Sequence, residues 1–334
     1  MKIGCLGSGT WGFCLGTLLA TKGHVVKLWT IDLKQKEQFD KTKKHPALPD
    51  LQTTENISLT TNLEEVITNA DLIFESVSAA GIRPVFEQLK TLEKPRSSCP
   101  IVLTSKGIEQ NSCKLLTEVV IDIMGTDIRD RLGVLSGPSI AEEVAKRLPT
   151  FVVATAYNRL MMQVIRDTFD TSFFHVYLNP DILGVQLGGA MKNIIAIACG
   201  ISDGLGFGNN SKATLIALGL HELRKLCKVK KCNSATLNGL AGLGDLCVTC
   251  LSPSSRNYRL GVLMGQGNFK EEALLKIGAV VEGLYSCVSA IQLSHQANID
   301  MPITETVYNI AYKGIPPAQA MATLFQRTLK NESF

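Results

Sequence analysis

Lys192 stands inside "VQLGGAMKNIIAIACGISDG", residues 185–204, a run otherwise almost free of charge. An ammonium group there is costly unless it is paired, wet or used. Read as a helix, the positions three, four and seven residues from Lys192 are Gly188, Gly189, Ala196 and Cys199, a face stripped of bulk. Two glycines weaken an ordinary helix, so that face makes sense only if something approaches it closely. A lysine partly removed from water exchanges its proton near neutral pH, which is the chemistry of a general acid or base. The competing reading is a buried lysine paired with a carboxylate for structure alone.

A suitable carboxylate lies downstream in "GLGDLCVTCLSPSSRN". Asp245 is flanked by Gly239, Gly242 and Gly244 and followed by Arg256 and Asn257. A carboxylate on a glycine-rich loop orients a lysine, and a guanidinium with an amide donor holds a phosphate. The plainer reading of each is a helix cap or a surface pair. Cys247 and Cys250 form C-x-x-C, with Cys227 and Cys232 upstream at a spacing too long for a usual zinc knuckle. No metal is therefore expected, and the pair does not open a helix after a strand as a thioredoxin-like redox site does.

Gly7, Gly9 and Gly12 make "GSGTWG", which follows a strand, opens a helix, and precedes Asp32 by twenty residues. That context is what a dinucleotide-binding turn requires: a tight bend, close approach of the backbone to a pyrophosphate, and a helix amino terminus to receive its charge. Asp32 suits a free ribose 2′-hydroxyl and hence NAD, whereas Lys34 and Lys36 suit the extra phosphate of NADP, and both choices stay open. Lys106 falls just past a strand in "LTSKGIE", at the rim where ligands of open parallel sheets bind. A solvated surface lysine is its plain alternative. In "LSGPSIAEE", Ser139 and Glu142 have the spacing of a capping box, and Gly137 and Ser139 also offer polar groups at the same rim. On the residues alone the cap is preferred.

These groups need elements to position them. "KIGCLG", "HVVKLWT", "ADLIFESV", "PIVLTSK" and "RLGVLSG" read as buried strands separated by helices such as "GIRPVFEQLKTL" and "SCKLLTEVVIDIM". Alternation of this kind predicts an α/β Rossmann-type domain with a parallel sheet covered on both faces, closed by "TFVVATA" and "SFFHVYL". After Pro180 only long helical segments remain. The expected division is therefore residues 1–180 for the dinucleotide domain and 181–334 for an all-helical substrate domain.

At 334 residues the chain is long enough for two cores. A net charge of +4 is too small to argue for nucleic acid, and neither nucleic acid nor membrane insertion is expected. The stretch 182–201 approaches the length of a membrane span, but Gln186, Lys192 and Asn193 interrupt it, which favours a buried helix. "MKIGCLGSG" has no signal-peptide pattern, and ten cysteines scattered through apolar segments suit a reducing cytosol.

"GSGTWG", "LTSKGIE", "SGPSIAEEV", "GVQLGGAMKNIIAIACGISDGLGFGNN", "LAGLGDLCVTC", "SRN" and "VVEG" occur in the order found in NAD(P)-dependent glycerol-3-phosphate dehydrogenases, and the chain resembles the bacterial type over nearly its whole length. The resemblance implies a cytoplasmic enzyme, commonly a homodimer, interconverting dihydroxyacetone phosphate and sn-glycerol 3-phosphate with NAD(P)H for glycerophospholipid synthesis. It implies that Lys192 is the proton donor or acceptor, with Lys106, Asn193, Asp245 and Thr249 at active-site positions. Gly137, Ser139, Ser255, Arg256 and Asn257 match substrate contacts. Thr10, Trp11, Ala141, Val280 and Glu282 match cofactor contacts, and Arg256 is implied in reaching the cofactor as well. One departure concerns the cofactor: after "KLW" many relatives carry arginine or histidine, where this chain has Thr30, Ile31 and Asp32. Two rivals follow from the same residues: a dehydrogenase acting on a hydroxyacid, and a cofactor-binding regulator without turnover.

Overall fold

A computed structural model describes residues 1–92 and 99–327. Residues 328–334, the tail of the expected second domain, lie outside them. The chain forms two compact units, one of residues 1–105 with 116–182, the other of residues 106–115 with 183–334. The segment 106–115, inside the first expected domain by sequence, thus groups with the second unit.

The first unit opens with β1 (Lys2–Leu6), α1 (Thr10–Thr21), β2 (Val25–Trp29), α2 (Leu33–Thr42), β3 (Ile57–Thr60), α3 (Leu63–Ile67) and β4 (Leu72–Glu75). It continues with α4 (Ile82–Thr91), β5 (Ile101–Leu103), α5 (Leu116–Met124), β6 (Leu132–Ser136), α6 (Ala141–Ala145), β7 (Thr150–Ala156), α7 (Arg159–Phe169) and β8 (Phe174–Leu178). The strands form one sheet in the order β3-β2-β1-β4-β5-β6-β7-β8. β4, the strand between β1 and β5, is buried at all four positions, as a sheet covered on both faces demands.

Two features differ from expectation. β3 has no counterpart among the expected strands. β7 runs antiparallel to β6, while the other neighbours are parallel. The intervening α6 has five residues, roughly 7.5 Å of rise. That is too short to carry the chain to the far end of the sheet, so β7 starts where β6 stops. The core between sheet and helices is built from residues such as Phe13, Leu15, Leu28, Phe74, Ile165 and Phe169.

The second unit contains α8 (Ile182–Gly204), α9 (Gly208–Lys230), a π-helical turn at Leu240–Gly244, α10 (Asp245–Leu251), α11 (Arg256–Gly265), α12 (Lys270–Ile277), α13 (Glu282–Ala297), α14 (Pro302–Lys313) and α15 (Pro317–Gln326). Among the described residues α8 alone is long and apolar enough to cross a membrane, and 94% of its 18-residue apolar window is buried inside the protein. Its neighbours reach it through glycine. A Cβ at Gly188 would lie 2.2 Å from the Ala241 carbonyl oxygen, and one at Gly200 would lie 2.1 Å from that of Tyr258. The π-helical turn thus packs at Gly188, on the bare face inferred from sequence, whereas α11 packs at Gly200, outside that face. Residues 106–115 are fastened to α13: the Ser289 hydroxyl donates to the Ile108 carbonyl at 2.7 Å and the Asn111 amide to Gln292 Oε1 at 2.8 Å.

Candidate active site

In the second unit the carboxylate of Asp245, fully buried at the first position of α10, stands between two ammonium groups. Lys192 Nζ donates to Oδ1, and Lys106 Nζ donates to Oδ2 at 2.5 Å. Lys192 also donates to Thr249 Oγ1 at 2.9 Å, and that hydroxyl donates to the Asp245 carbonyl at 2.6 Å. The Lys192 head is thus aimed by two groups one turn apart on α10. The preceding π-helical turn, a wide coil of the kind common at functional sites, seats Asp245 against α8.

The two lysine side chains retain 11% and 15% exposure, for Lys192 and Lys106 respectively, against 0% for Asp245. The site therefore holds its counter-ion inside and leaves a narrow opening at the cations. With all three groups charged, one positive charge is left over to meet an anion or a developing oxyanion. Burial pulls Lys106 down to about 8, the Lys192 charge pulls the same way, and Asp245 opposes both. Lys106 is thus able to exchange a proton close to physiological pH.

Asn193, next to Lys192 on α8, accepts from Asn257 Nδ2 at 3.0 Å. Asn257 Oδ1 in turn accepts from the Gly283 amide at 2.8 Å. Gly283 follows Glu282 at the start of α13, and a Cβ there would lie 2.6 Å from that same Oδ1. Ser255 caps α11, accepting from the Tyr258 amide at 3.2 Å, so Arg256 and Asn257 occupy its first turn. The structure thus brings together Lys106, Lys192, Asn193, Asp245, Thr249 and Asn257. Val280, three residues before Gly283, is 61% exposed.

Sequence reasoning missed a neighbouring cluster. Tyr258 donates its hydroxyl to Asp203, whose carboxylate also takes Lys212 Nζ at 2.5 Å. This ties the residue after Asn257 to the end of α8. Asp203 and Tyr258 are 55 residues apart, so only an unexplained Asp in the apolar run hinted at it.

In the first unit the glycine turn has the shape a dinucleotide needs. Gly7 has φ +110, and a Cβ there would lie 2.6 Å from the Ser76 carbonyl oxygen. A Cβ at Gly12 would lie 2.4 Å from the Gly7 carbonyl oxygen, so only glycine lets α1 start this close to β1. Beside Gly9 the space is open, and no side chain caps α1, whose amino terminus begins at Thr10 and Trp11. The residues fit a pyrophosphate at this position. Trp11 packs its ring 6.4 Å from that of Phe174.

A strut unseen in the sequence steadies the turn. Gln35 Nε2 donates to the Ser8 carbonyl at 2.8 Å, while its Oε1 accepts from the Ser8 and Thr30 hydroxyls at 2.6 and 2.7 Å. Asp32 caps α2 through Oδ1, accepting from the Lys34 and Gln35 amides at 2.9 and 3.2 Å. Lys36 is paired with Asp40 at 2.6 Å, and Lys34 is exposed.

The capping box expected at Ser139 and Glu142 does not form. Ile140 is the residue preceding α6, no side chain caps that helix, and the Ser139 hydroxyl donates to the Gly137 carbonyl at 3.0 Å. Gly137 has φ +127, and its turn shifts the helix start by one residue. Ala141 is the first residue of α6.

Residues 2–162 match a family model described as NAD-dependent glycerol-3-phosphate dehydrogenase N-terminus, and residues 181–322 match the one described as its C-terminus. The chain is 53% identical over 331 residues to the glycerol-3-phosphate dehydrogenase [NAD(P)+] of Protochlamydia amoebophila, covering 99% of each. It is 50% identical over 330 residues to that of Chlamydia pneumoniae, covering 99% of this chain and 98% of the relative. Among solved structures it is similar to glycerol-3-phosphate dehydrogenase from Coxiella burnetii, with TM-score 0.92 and 35% identity over 98% of this chain and 99% of that one. The fold, the glycine turn and the buried lysine–aspartate cluster thus accompany similarity over the full length, and the chain belongs to the NAD-dependent glycerol-3-phosphate dehydrogenase family.

Proposed function

We propose that this chain interconverts dihydroxyacetone phosphate and sn-glycerol 3-phosphate using NAD(P)H and NAD(P)+, with Lys192 as general acid and base. The observation that carries the reading is the buried Asp245 carboxylate shared by Lys192 and Lys106. When bound, the dinucleotide supplies the hydride that reduces the carbonyl carbon. Lys192, aimed by Asp245 and Thr249, delivers a proton to the carbonyl oxygen and takes it back in the reverse direction. The surplus positive charge contributed by Lys106 favours the oxygen as it becomes negative. Arg256 and Asn257, with Ser255, grip the phosphate. A fixed phosphate is itself catalytic, because orientation removes much of the barrier.

On this reading the enzyme works in the cytosol as a homodimer and supplies the backbone for glycerophospholipids. The deciding assay measures NADH and NADPH oxidation side by side with dihydroxyacetone phosphate and with a panel of 2-oxoacids. Turnover with an oxoacid and none with the triose phosphate would transfer the chain to the hydroxyacid class. Nucleotide binding without oxidation by any of them would make it a regulator.

A further inference from the structure

Glu75 ends β4 with a carboxyl group that is fully buried. Its Oε1 accepts from the Val77 amide at 2.5 Å and from the Ser105 hydroxyl at 2.6 Å. Its Oε2 has no hydrogen-bond partner among the described residues. Such a group is expensive unless it stays neutral. Burial pushes it up to about 8, against the pull of its hydrogen bonds, so at neutral pH it carries its proton.

The position of this acid gives it a function. The strand order reverses at β1 and β4, and ligands of such sheets bind at that reversal, outside the carboxyl ends of the strands. Glu75 lies opposite Leu6, the residue before Gly7. The next residue, Ser76, forms the floor of the glycine turn: a Cβ at Gly12 would lie 3.0 Å from Ser76 Cβ. From β1 the titratable group facing Glu75 is Cys5, pushed up first by burial and then by the Glu75 charge, and therefore neutral. After β5 come Thr104 and Ser105, both uncharged, and Thr104 donates its hydroxyl to the Glu75 carbonyl at 2.7 Å. Lys106 follows Ser105 in the chain and titrates in the same range.

We infer that Glu75 is a positioning residue for the dinucleotide: as a neutral acid it holds Ser76 and Val77 against the glycine turn, and its ionisation weakens dinucleotide binding. An ionised carboxylate one residue from the turn repels a pyrophosphate through a poorly polarisable interior. The inference rests on the placement of the cofactor at that turn.

The test is NADH affinity by fluorescence titration between pH 7 and 9, without triose phosphate, for the parent, Glu75→Gln, Lys106→Met and Gly12→Val. The parent should weaken about tenfold over this range, as one proton on a group near 8 requires. Lys106→Met should keep that slope and Glu75→Gln should lose it. A parental slope in folded Glu75→Gln, or its loss in Lys106→Met, overturns the inference. If Glu75→Gln does not fold, calorimetry of parent and Lys106→Met in two buffers decides: both should take up protons on binding NADH near pH 8.5, and no uptake overturns the inference. Gly12→Val should abolish NADH binding. Normal binding by that variant would defeat the placement itself, and the inference with it.

Discussion

Gly200 of α8 and Gly261 of α11 touch so closely that a Cβ built on either would lie 2.9 Å from the other's Cα. One turn further on, Gly204 and Gly265 repeat the relationship at the same 2.9 Å. Two helices thus meet backbone to backbone, and upstream of that contact they carry Lys192 and Asn193 at the middle of α8 and Arg256 and Asn257 at the start of α11. Gly261→Ala would place its methyl 2.1 Å from the Ile197 carbonyl oxygen, which backbone cannot yield cheaply. The expected loss of stability is about 1–3 kcal/mol, the range for overpacking, read by urea denaturation. Unchanged stability would mean the helices slide apart freely.

Lys192→Met keeps much of the apolar stem and removes the proton. It should fold, bind NAD(P)H, and lose turnover by about a hundredfold to ten-thousandfold, because a general acid acts in the transition state. Its Michaelis constant for dihydroxyacetone phosphate should change much less. Near-parental turnover in a folded variant would leave Lys192 structural and make Lys106 the acid to test next.

Arg256 presents a planar fork that lysine does not copy. Arg256→Lys should raise the Michaelis constant for dihydroxyacetone phosphate strongly while leaving the poor substrate dihydroxyacetone little affected. Equal changes for both substrates, in parallel steady-state assays, would remove the phosphate role.

Glu222 gives a stability signature. Buried on α9, it accepts from the Ile303 amide at 2.5 Å and the Thr304 amide at 3.2 Å, capping α14 from a neighbouring helix. Burial outweighs these bonds and lifts it from 4.5 to about 7. The folded protein then binds more protons than the unfolded chain between those values, so stability falls as pH rises through that window. The loss attributable to this group is about 3 kcal/mol, and Glu222→Gln should flatten the dependence of chemical denaturation on pH between 4.5 and 7. A slope identical to the parent's would mean the group titrates normally. Glu75 adds a slope of the same sign, so the comparison is between variants rather than absolute values.

Lys192 was legible because it is the one cation in a twenty-residue run whose only other charge is Asp203, and a buried ammonium calls for a partner. Asp245 was legible as its partner because glycines surround it. The same reasoning applies to Glu75 in "DLIFESV", yet a charge at the end of a strand reads as an exposed rim residue, and four residues give no periodicity to contradict that. The reversal of β7 was hidden for a related reason: a buried strand has the same composition in either direction, and only the length of α6 decides. The Ser139 cap failed because Gly137, one backbone conformation away, redirects the hydroxyl. Local spacing does not see such a turn.

The segment from Lys106 to Leu115 makes the chain pass between its two units three times, after residues 105, 115 and 182. A fragment beginning at 181 would lose more than a connection: it would lack Lys106, and Ile108, Cys113 and Leu115 would be missing from its core. The dinucleotide half is therefore not an interchangeable cassette. Recombination at a single junction near residue 180 would import another parent's Lys106 segment along with its nucleotide preference, and that segment would have to mate with a foreign α13. Chimaeras should tolerate exchange when residues 106–115 travel with the helical half. Shuffling the two halves of such a gene would thus need two further joints, which ties nucleotide choice and carbonyl chemistry to a shared inheritance.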